Sequence, residues 1–278
     1  MKANYHTHTF YSDGNNSVDE MVSCAISNDF DIIGISDHSP VPFDSQWNMK
    51  FEKLTAYLED IRKAKEQYQG RIEVLAGMEV DYFDGLNNIE YYKSYGLDYT
   101  IGSVHYVGNF PNGKPFNIDK SSKEFSKGLI LIYEDNIENF VSDYYQKVIK
   151  MVLSTNPDII AHLTLVEKFN KTLKAIDTQS SWYRDLIYMT LDILRHSDSI
   201  LELNARSWYR GLLDEFVPSL WVMKIAKEFN IPVTISGDIH QPQEYGMFWD
   251  DAVEFLKAAG YEEITILRPN ENRQTVKI

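Results

Sequence analysis

The chain has 278 residues, 44% of them hydrophobic and 24% charged, a balance that excludes disorder and leaves room for one large domain or two small ones. Its 41 acidic residues against 27 basic ones give a net charge of -14, which excludes a sequence-independent grip on nucleic acid or anionic lipid. Cys24 is the sole cysteine and residues 1–6 lack the apolar core of a secretion signal, so a reducing, cytoplasmic setting without membrane spans is expected.

Along the chain, short runs rich in Val, Ile and Leu recur at 3–8, 31–36, 72–80, 99–105, 158–162, 200–204 and 232–236. Near-continuous apolar runs of that length suit strands covered on both faces, as in parallel sheets flanked by helices. Helical periodicity falls between them, at about 18–28, 50–68, 136–153, 181–196, 215–229 and 249–259. Ser17 and Glu20 have the spacing of a capping box at the first helix. Residues 106–127 are irregular, with scattered Gly, Pro, Asn and Ser, and a loop of that length in a compact domain is usually functional. Residues 263–267 can add a short last strand. Neither repeats nor a linker-like stretch interrupt this order, so a single domain over 1–278 is expected. Alternating strands and helices imply right-handed βαβ units, and seven in a row imply an α/β fold closed into a distorted seven-stranded (β/α) barrel resembling a TIM barrel.

The chemistry-bearing residues fall at the C-terminal ends of these strands. His6 and His8 close the first, two apart and therefore on the same side, with Asp13 in the following turn. His38 closes the second, Glu79 lies near the end of the third, His105 closes the fourth and His162 the fifth. The sixth carries Glu202 and Asn204, and the seventh runs into Asp238 and His240. Each piece has a plain structural explanation when taken alone. A His-x-His can be surface chemistry, Glu79 an ion-pair partner and Asp238 a turn cap. Independent structural histidines, however, would not gather at one end of the strands, and that end is where barrels build active sites. His196, at the end of a predicted helix, is the exception and carries no assigned role. Imidazole and carboxylate without thiolate suit divalent transition metals. Nine side chains (His6, His8, Asp13, His38, Glu79, His105, His162, Asp238 and His240) exceed the three or four that one open site uses, so two to three ions are expected.

These motifs resemble the polymerase and histidinol phosphatase superfamily, PHP. The resemblance rests on His6-Thr7-His8 with Asp13-Gly14, Asp37-His38, Glu79, His105, His162 and Asp238-Ile239-His240, and so runs the length of the chain. Within it the histidinol-phosphatase branch is indicated by Ser36-Asp37-His38-Ser39-Pro40, Gly77-Met78-Glu79-Val80-Asp81 and Glu202-Leu203-Asn204, and most specifically by Gly102-Ser103-Val104-His105. The resemblance implies hydrolysis of L-histidinol phosphate, in histidine biosynthesis, by zinc, iron or manganese. It implies a first metal on His6, His8, Glu79 and Asp238, and a second on Glu79, His105 and His162. A third would take Asp13, His38 and His240. Glu79 and Asp238 would act in catalysis, together with a basic residue after the sixth strand that contacts phosphate.

Two departures from the pattern stand out. Thr164 occupies a place where many relatives carry aspartate, and Tyr209 falls at the expected basic position. A one-residue shift gives Arg210 that role, with Arg206 and Asn204 as further substrate-binding candidates. The expected partner is a small phosphate ester whose cationic amine the acidic surface would attract. The alternatives are a PHP-fold phosphoesterase acting on another phosphorylated small molecule or nucleotide, and a non-catalytic metal-stabilised module. Metal identity and oligomeric state are not legible in the residues.

Overall fold

Buried apolar runs pair side by side in the computed structural model, which describes residues 1–85, 89–269 and 272–278. In chain order the strands are β1 (Ala3–Asn4), β2 (Ile32–Ile35), β3 (Glu73–Ala76), β4 (Glu79–Asp81), β5 (Ile101–Ser103), β6 (Tyr106–Asn109), β7 (Pro115–Asn117), β8 (Ile159–Ile160), β9 (Ile200–Asn204), β10 (Val233–Ser236), β11 (Glu263–Arg268) and β12 (Asn272–Lys277). Strands β1-β2-β3 form one parallel sheet and β10-β9-β8-β5-β4 another, giving an α/β fold. Isolated parallel bridges, Thr7 with Ile239 and His38 with Glu79, join the two sheets at their borders.

The run at 72–80 does not form one strand. It breaks at Gly77 and Met78, so that β3 pairs with β2 while β4 pairs with β5. The cause is Tyr99, a buried ring lying so close to Gly77 and Gly34 that a Cβ at either would stand 2.2 or 2.1 Å from it. Its hydroxyl donates to the Tyr5 carbonyl, and the Tyr5 ring meets it edge-on with centroids 5.6 Å apart. Tyr57 reaches the carbonyls of Ile35 and Gly77 at 2.9 and 2.7 Å, fixing the chain where the sheets part.

Outside the strands lie α1 (Val18–Ser27), α2 (Leu54–Gln67), α3 (Ile89–Lys93), α4 (Ser122–Tyr133), α5 (Ile137–Thr155), α6 (Asn170–Leu173), α7 (Ser181–Leu194), α8 (Arg206–Tyr209), α9 (Leu220–Glu228) and α10 (Trp249–Ala258). The capping box at α1 is present: the Ser17 hydroxyl accepts from the Glu20 N–H, and Glu20 accepts from the Ser17 N–H. Helix α1 buries Val18, Met21, Val22 and Ala25, the spacing of one helical face. Helix α5 packs against α7 and β5 through a face rich in Tyr, Phe and Val.

Three segments differ from expectation. Helix α9 begins at Leu220 rather than near 215, because Val217 pairs with Asn204 in an antiparallel bridge that keeps the backbone extended. Residues 106–127 hold the hairpin β6–β7 and the start of α4, which Ser121 caps. Gly128 lies within that helix and is required there, since a Cβ would lie 2.3 Å from the Phe116 ring. The final strand, β11, pairs antiparallel with β12.

One buried acid lies apart from the strand ends. Glu167 accepts from Tyr183, whose hydroxyl is 2.9 Å from that of Tyr145. Burial pushes its carboxyl up to about 7, although the Tyr183 hydrogen bond opposes the shift. A raised folded-state value means that the folded chain holds this proton after the unfolded chain has released it, so stability falls as pH rises between about 4.5 and 7. Glu167→Gln should abolish roughly 3 kcal/mol of this dependence. Urea midpoints at about pH 5 and about pH 8 should then differ less in the variant, which should be the more stable protein at the higher pH. Identical pH dependence in both proteins would sink this account.

Candidate active site

Beyond the carboxyl ends of the parallel strands the backbone turns, and the polar residues that follow each strand point to one place. Its centre is Glu79, the first residue of β4, which is 1% exposed. Glu79 Oε2 lies 3.2 Å from His6 Nε2 and 3.6 Å from His8 Nε2. Glu79 Oε1 faces the other way, 3.1 Å from His162 Nε2 and 3.6 Å from His105 Nε2. Asp238 Oδ1 stands 3.3 Å from His8 Nε2 and 3.9 Å from His6 Nε2. A third grouping joins Asp13 to His240 at 3.1 Å and to His38 at 3.7 Å. All nine expected side chains are therefore brought together, drawn from both sheets.

The geometry fits metal ligation. Four donors each about 2.1 Å from a tetrahedral ion lie about 3.4 Å from one another. The separations above scatter around that value. His6 Nε2, His8 Nε2 and Glu79 Oε2 are buried and have no hydrogen-bond partner among the described residues. Buried polar atoms left so are costly, and three converging donors would be satisfied together by one divalent cation. Combinations able to hold an ion include His8, Asp13, His38 and His240; His6, His8 and Asp238; and His6, Glu79 and His162. His162 and Asp238 also have positive φ, 23° and 52°, where the chain turns beyond β8 and β10.

Mutual charge dominates the electrostatics. Burial alone would raise the Glu79 carboxyl, but His38, His6 and His105 hold it well below the usual carboxylate range. Asp238 is likewise held down against its burial, by His6 and His8. Burial would lower His6, yet Glu202, Glu79 and Asp238 push it well up. His105 rises against burial to about 10 beside Asp81 and Glu79, whereas burial and the neighbouring His240 and His38 drive His8 down to about 3.

Supporting residues to which sequence reasoning gave no role surround these groups. Asp81 Oδ1 lies 2.7 Å from His105 Nδ1, and Glu202 Oε1 lies 2.7 Å from His6 Nδ1. Asp37 accepts from the Thr9 and Ser12 N–H groups, both at 2.9 Å, and so pins the turn that carries Asp13. The signal for Asp81 was present: two residues beyond Glu79 on a strand, it shares that residue's side. Trp47, whose ring is edge-on to His38 and His105, carried no such signal.

The site opens into a cavity of about 820 Å³. The hairpin region contributes Lys114, Asp119, Lys120 and Glu124 to its wall, and Lys168, paired with Asp119 at 3.1 Å, also lines it. Arg206 is on the wall, with Nη1 donating to the Asp238 carbonyl at 2.8 Å. Arg210 is not among the lining residues; it is half-exposed and lies 3.3 Å from Glu244. Tyr209, at the position where a base was expected, bonds the Gly237 carbonyl through its hydroxyl at 3.0 Å. Asn204 lines the cavity, but its amide is engaged with Glu202 and Asp238 at 3.0 and 3.2 Å.

The chain is similar to known proteins. The chain is 29% identical over 237 residues to a candidate histidinol-phosphatase of Deinococcus radiodurans, covering 83% of this chain and 82% of that one. It is 24% identical over 272 residues to the histidinol-phosphatase of Bacillus subtilis, covering 91% and 99%. Its fold matches that of a histidinol phosphate phosphatase from Lactococcus lactis, solved with zinc, L-histidinol and phosphate, with a TM-score of 0.75, 18% identity and coverage of 98% of both chains. Among the described residues no helix is long and apolar enough to cross a membrane. The PHP domain family matches residues 4–206, which include the candidate ligands from His6 to His162, while Asp238 and His240 join them through the fold. The chain belongs to the PHP domain family.

Proposed function

We propose that this chain hydrolyses L-histidinol phosphate to L-histidinol and inorganic phosphate, using two to three divalent transition ions, zinc, iron or manganese. The observation that carries the reading is the convergence of imidazoles on the two oxygens of Glu79, with His6 Nε2, His8 Nε2 and Glu79 Oε2 buried and unpartnered among the described residues. The names of the Deinococcus and Bacillus relatives and the ligands of the Lactococcus enzyme support the choice of substrate. The parallel strands read best as one distorted seven-stranded barrel, with β3 and β4 as halves of a broken strand, in a single domain over 1–278. The bridges at both sheet borders support that reading.

The ligand sets proposed are His6, His8, Glu79 and Asp238; Glu79, His105 and His162; and Asp13, His38 and His240. Ions held there would supply an acidified water and neutralise charge building on the phosphoryl oxygens. The protein's own part is positioning. Glu79 holds two sets at a fixed separation, and Asn204 orients Asp238. Arg206, anchored by the Asp238 carbonyl, presents a fixed positive charge to the phosphoryl group. Glu124, on the same wall, offers a carboxylate to the cationic amine of the substrate, whereas Asp119 is paired with Lys168. The setting proposed is the cytoplasm, with no nucleic acid among the partners.

Phosphate release tests this directly. L-Histidinol phosphate should exceed an aryl phosphate in kcat/KM by about 100-fold, since contacts to the imidazole and amine add discrimination that phosphate contacts lack. Arg206→Ala should lower kcat/KM by about 100-fold without loss of metal, while Arg210→Ala should change it by less than about threefold. Equal turnover of unrelated phosphomonoesters would replace histidinol phosphate by a broader phosphoesterase activity. The reverse order of the two arginine variants would move the phosphate contact to Arg210.

A further inference from the structure

Glu202, on β9, is fully buried and makes three hydrogen bonds to three different parts of the site. Its Oε1 lies 2.7 Å from His6 Nδ1, beyond the end of β1. Its Oε2 accepts from the backbone N–H of His162, beyond β8, at 2.8 Å, and from the Asn204 amide at 3.0 Å. That same amide reaches Asp238 Oδ2, beyond β10, at 3.2 Å. We propose that Glu202 is a positioning residue shared by two metal sets, one carboxylate that orients His6, His162 and, through Asn204, Asp238. The inference rests on the metal reading above.

The physical argument has two parts. An imidazole that donates from Nδ1 to a carboxylate keeps its Nε2 lone pair free, and His6 Nε2 is the atom that faces Glu79 Oε2 at 3.2 Å. His162 has a positive φ of 23°, uncommon for a residue other than glycine, and its N–H is tied to Glu202 Oε2. All three of Glu202's partners are donors, so an acceptor-only carboxylate satisfies them and an amide cannot. In Glu202→Gln the NH2 group must face either the His6 Nδ1–H or the donors from His162 and Asn204. Asp81 offers a contrast, since its bond at 2.7 Å goes to His105, a member of one set. The remaining set, Asp13, His38 and His240, makes no hydrogen bond to Glu202 among the described residues.

These contacts predict a pattern of metal loss rather than a general weakening. Chelated wild-type chain and its variants would be titrated with zinc against a chromophoric chelator, and the melting of each metal-free protein recorded. Glu202→Gln should weaken two zinc sites together by about 10–100-fold and leave one at wild-type affinity, while Asp81→Asn weakens one. The metal-free melt of Glu202→Gln should fall because the amide leaves a buried donor unpaired, and a merely structural role would show in that melt alone, with every zinc site at wild-type affinity. Glu202→Gln protein with all sites at wild-type affinity overturns the proposal, as does, where three ions bind, equal weakening of all three. If Glu202→Gln does not fold, Asn204→Ala decides the matter: one weakened site supports the relay to Asp238, and unchanged affinities overturn it. A wild-type chain that takes up no zinc, iron or manganese overturns the metal reading itself, and this inference with it.

Discussion

Glu79→Gln should leave a folded protein that has lost at least one metal ion and turns over at least about 1,000-fold more slowly, equivalent to roughly 4 kcal/mol of barrier. The substitution preserves size and the hydrogen bond to Ser103, whose hydroxyl donates to Glu79 Oε1 at 2.5 Å. It removes the negative charge that faces His6, His38 and His105 and replaces one of two ligating oxygens with an amide nitrogen whose protons point at imidazole. Since Oε2 serves His6 and His8 while Oε1 serves His105 and His162, both sets are disturbed at once. Two ions bridged by one carboxylate sit about 3.5–4 Å apart, and loss of the bridge changes that spacing even where both ions remain. Metal analysis, phosphate release and a circular dichroism melt on one sample test this. A fully metallated variant with near-normal turnover would remove Glu79 from the centre of the site.

The second large effect concerns stability. Gly34→Ala should destabilise the protein by about 3–5 kcal/mol, combining overpacking with loss of a buried hydrogen bond. A Cβ at Gly34 would lie 2.1 Å from the Tyr99 hydroxyl, and one at Gly77 would lie 2.2 Å from the ring carbon bearing it. Tyr99 has nowhere to retreat, being packed edge-on against Tyr5 and bonded to the Tyr5 carbonyl. The chemical identity of the clash gives a sharper check. Tyr99→Phe deletes the hydroxyl that Gly34→Ala strikes but leaves the ring that Gly77→Ala strikes, so it should rescue the first variant more than the second. Urea unfolding of the two singles and two doubles measures this, and near-native stability of Gly34→Ala would show that the ring can move.

The ligating side chains were legible because strand ends and metal chemistry both leave local marks. His6 and His8 declare themselves by alternation, and Asp238 and His240 by following an apolar run directly. What stayed hidden depends on contacts distant in the chain. Glu202 and His6 are separated by 196 positions, and nothing near Glu202 signals that three donors meet there. The break between β3 and β4 was invisible for the same reason, since Tyr99 lies beyond both strands in sequence. The choice between Arg206 and Arg210 turned on one helical turn: α8 ends at Tyr209, which sets Arg206 against Asp238 and Arg210 toward Glu244. Helix α4 was missed because the Gly, Pro, Asn and Ser scattered over 106–127 read as one loop, into whose end its first turns fall.

The seam between the two parallel sheets has a mechanical meaning. At Glu79 one sheet ends and the other begins, and among the described residues the far side is closed by the short pairing around Thr7 and Ile239 and by the Gly237 N–H bond to the Asn4 side chain. His6, His8 and His38 approach from the first sheet's strands, and Glu79, His105, His162 and Asp238 from the second's. Ions bound to His6, His8, Glu79 and Asp238, or to Asp13, His38 and His240, would act as rivets across a fracture line, tying chain segments that few backbone hydrogen bonds otherwise unite, whereas Glu79, His105 and His162 all belong to the second sheet. Binding to the folded state alone raises stability by RT ln(1 + [M]/Kd), about 4 kcal/mol at a thousandfold excess over Kd. Here that gain would be concentrated at one line. On metal removal, amide exchange should quicken first at His8, Ile239 and Glu79, whose N–H groups bond across the seam, while the interior of each sheet keeps its protection.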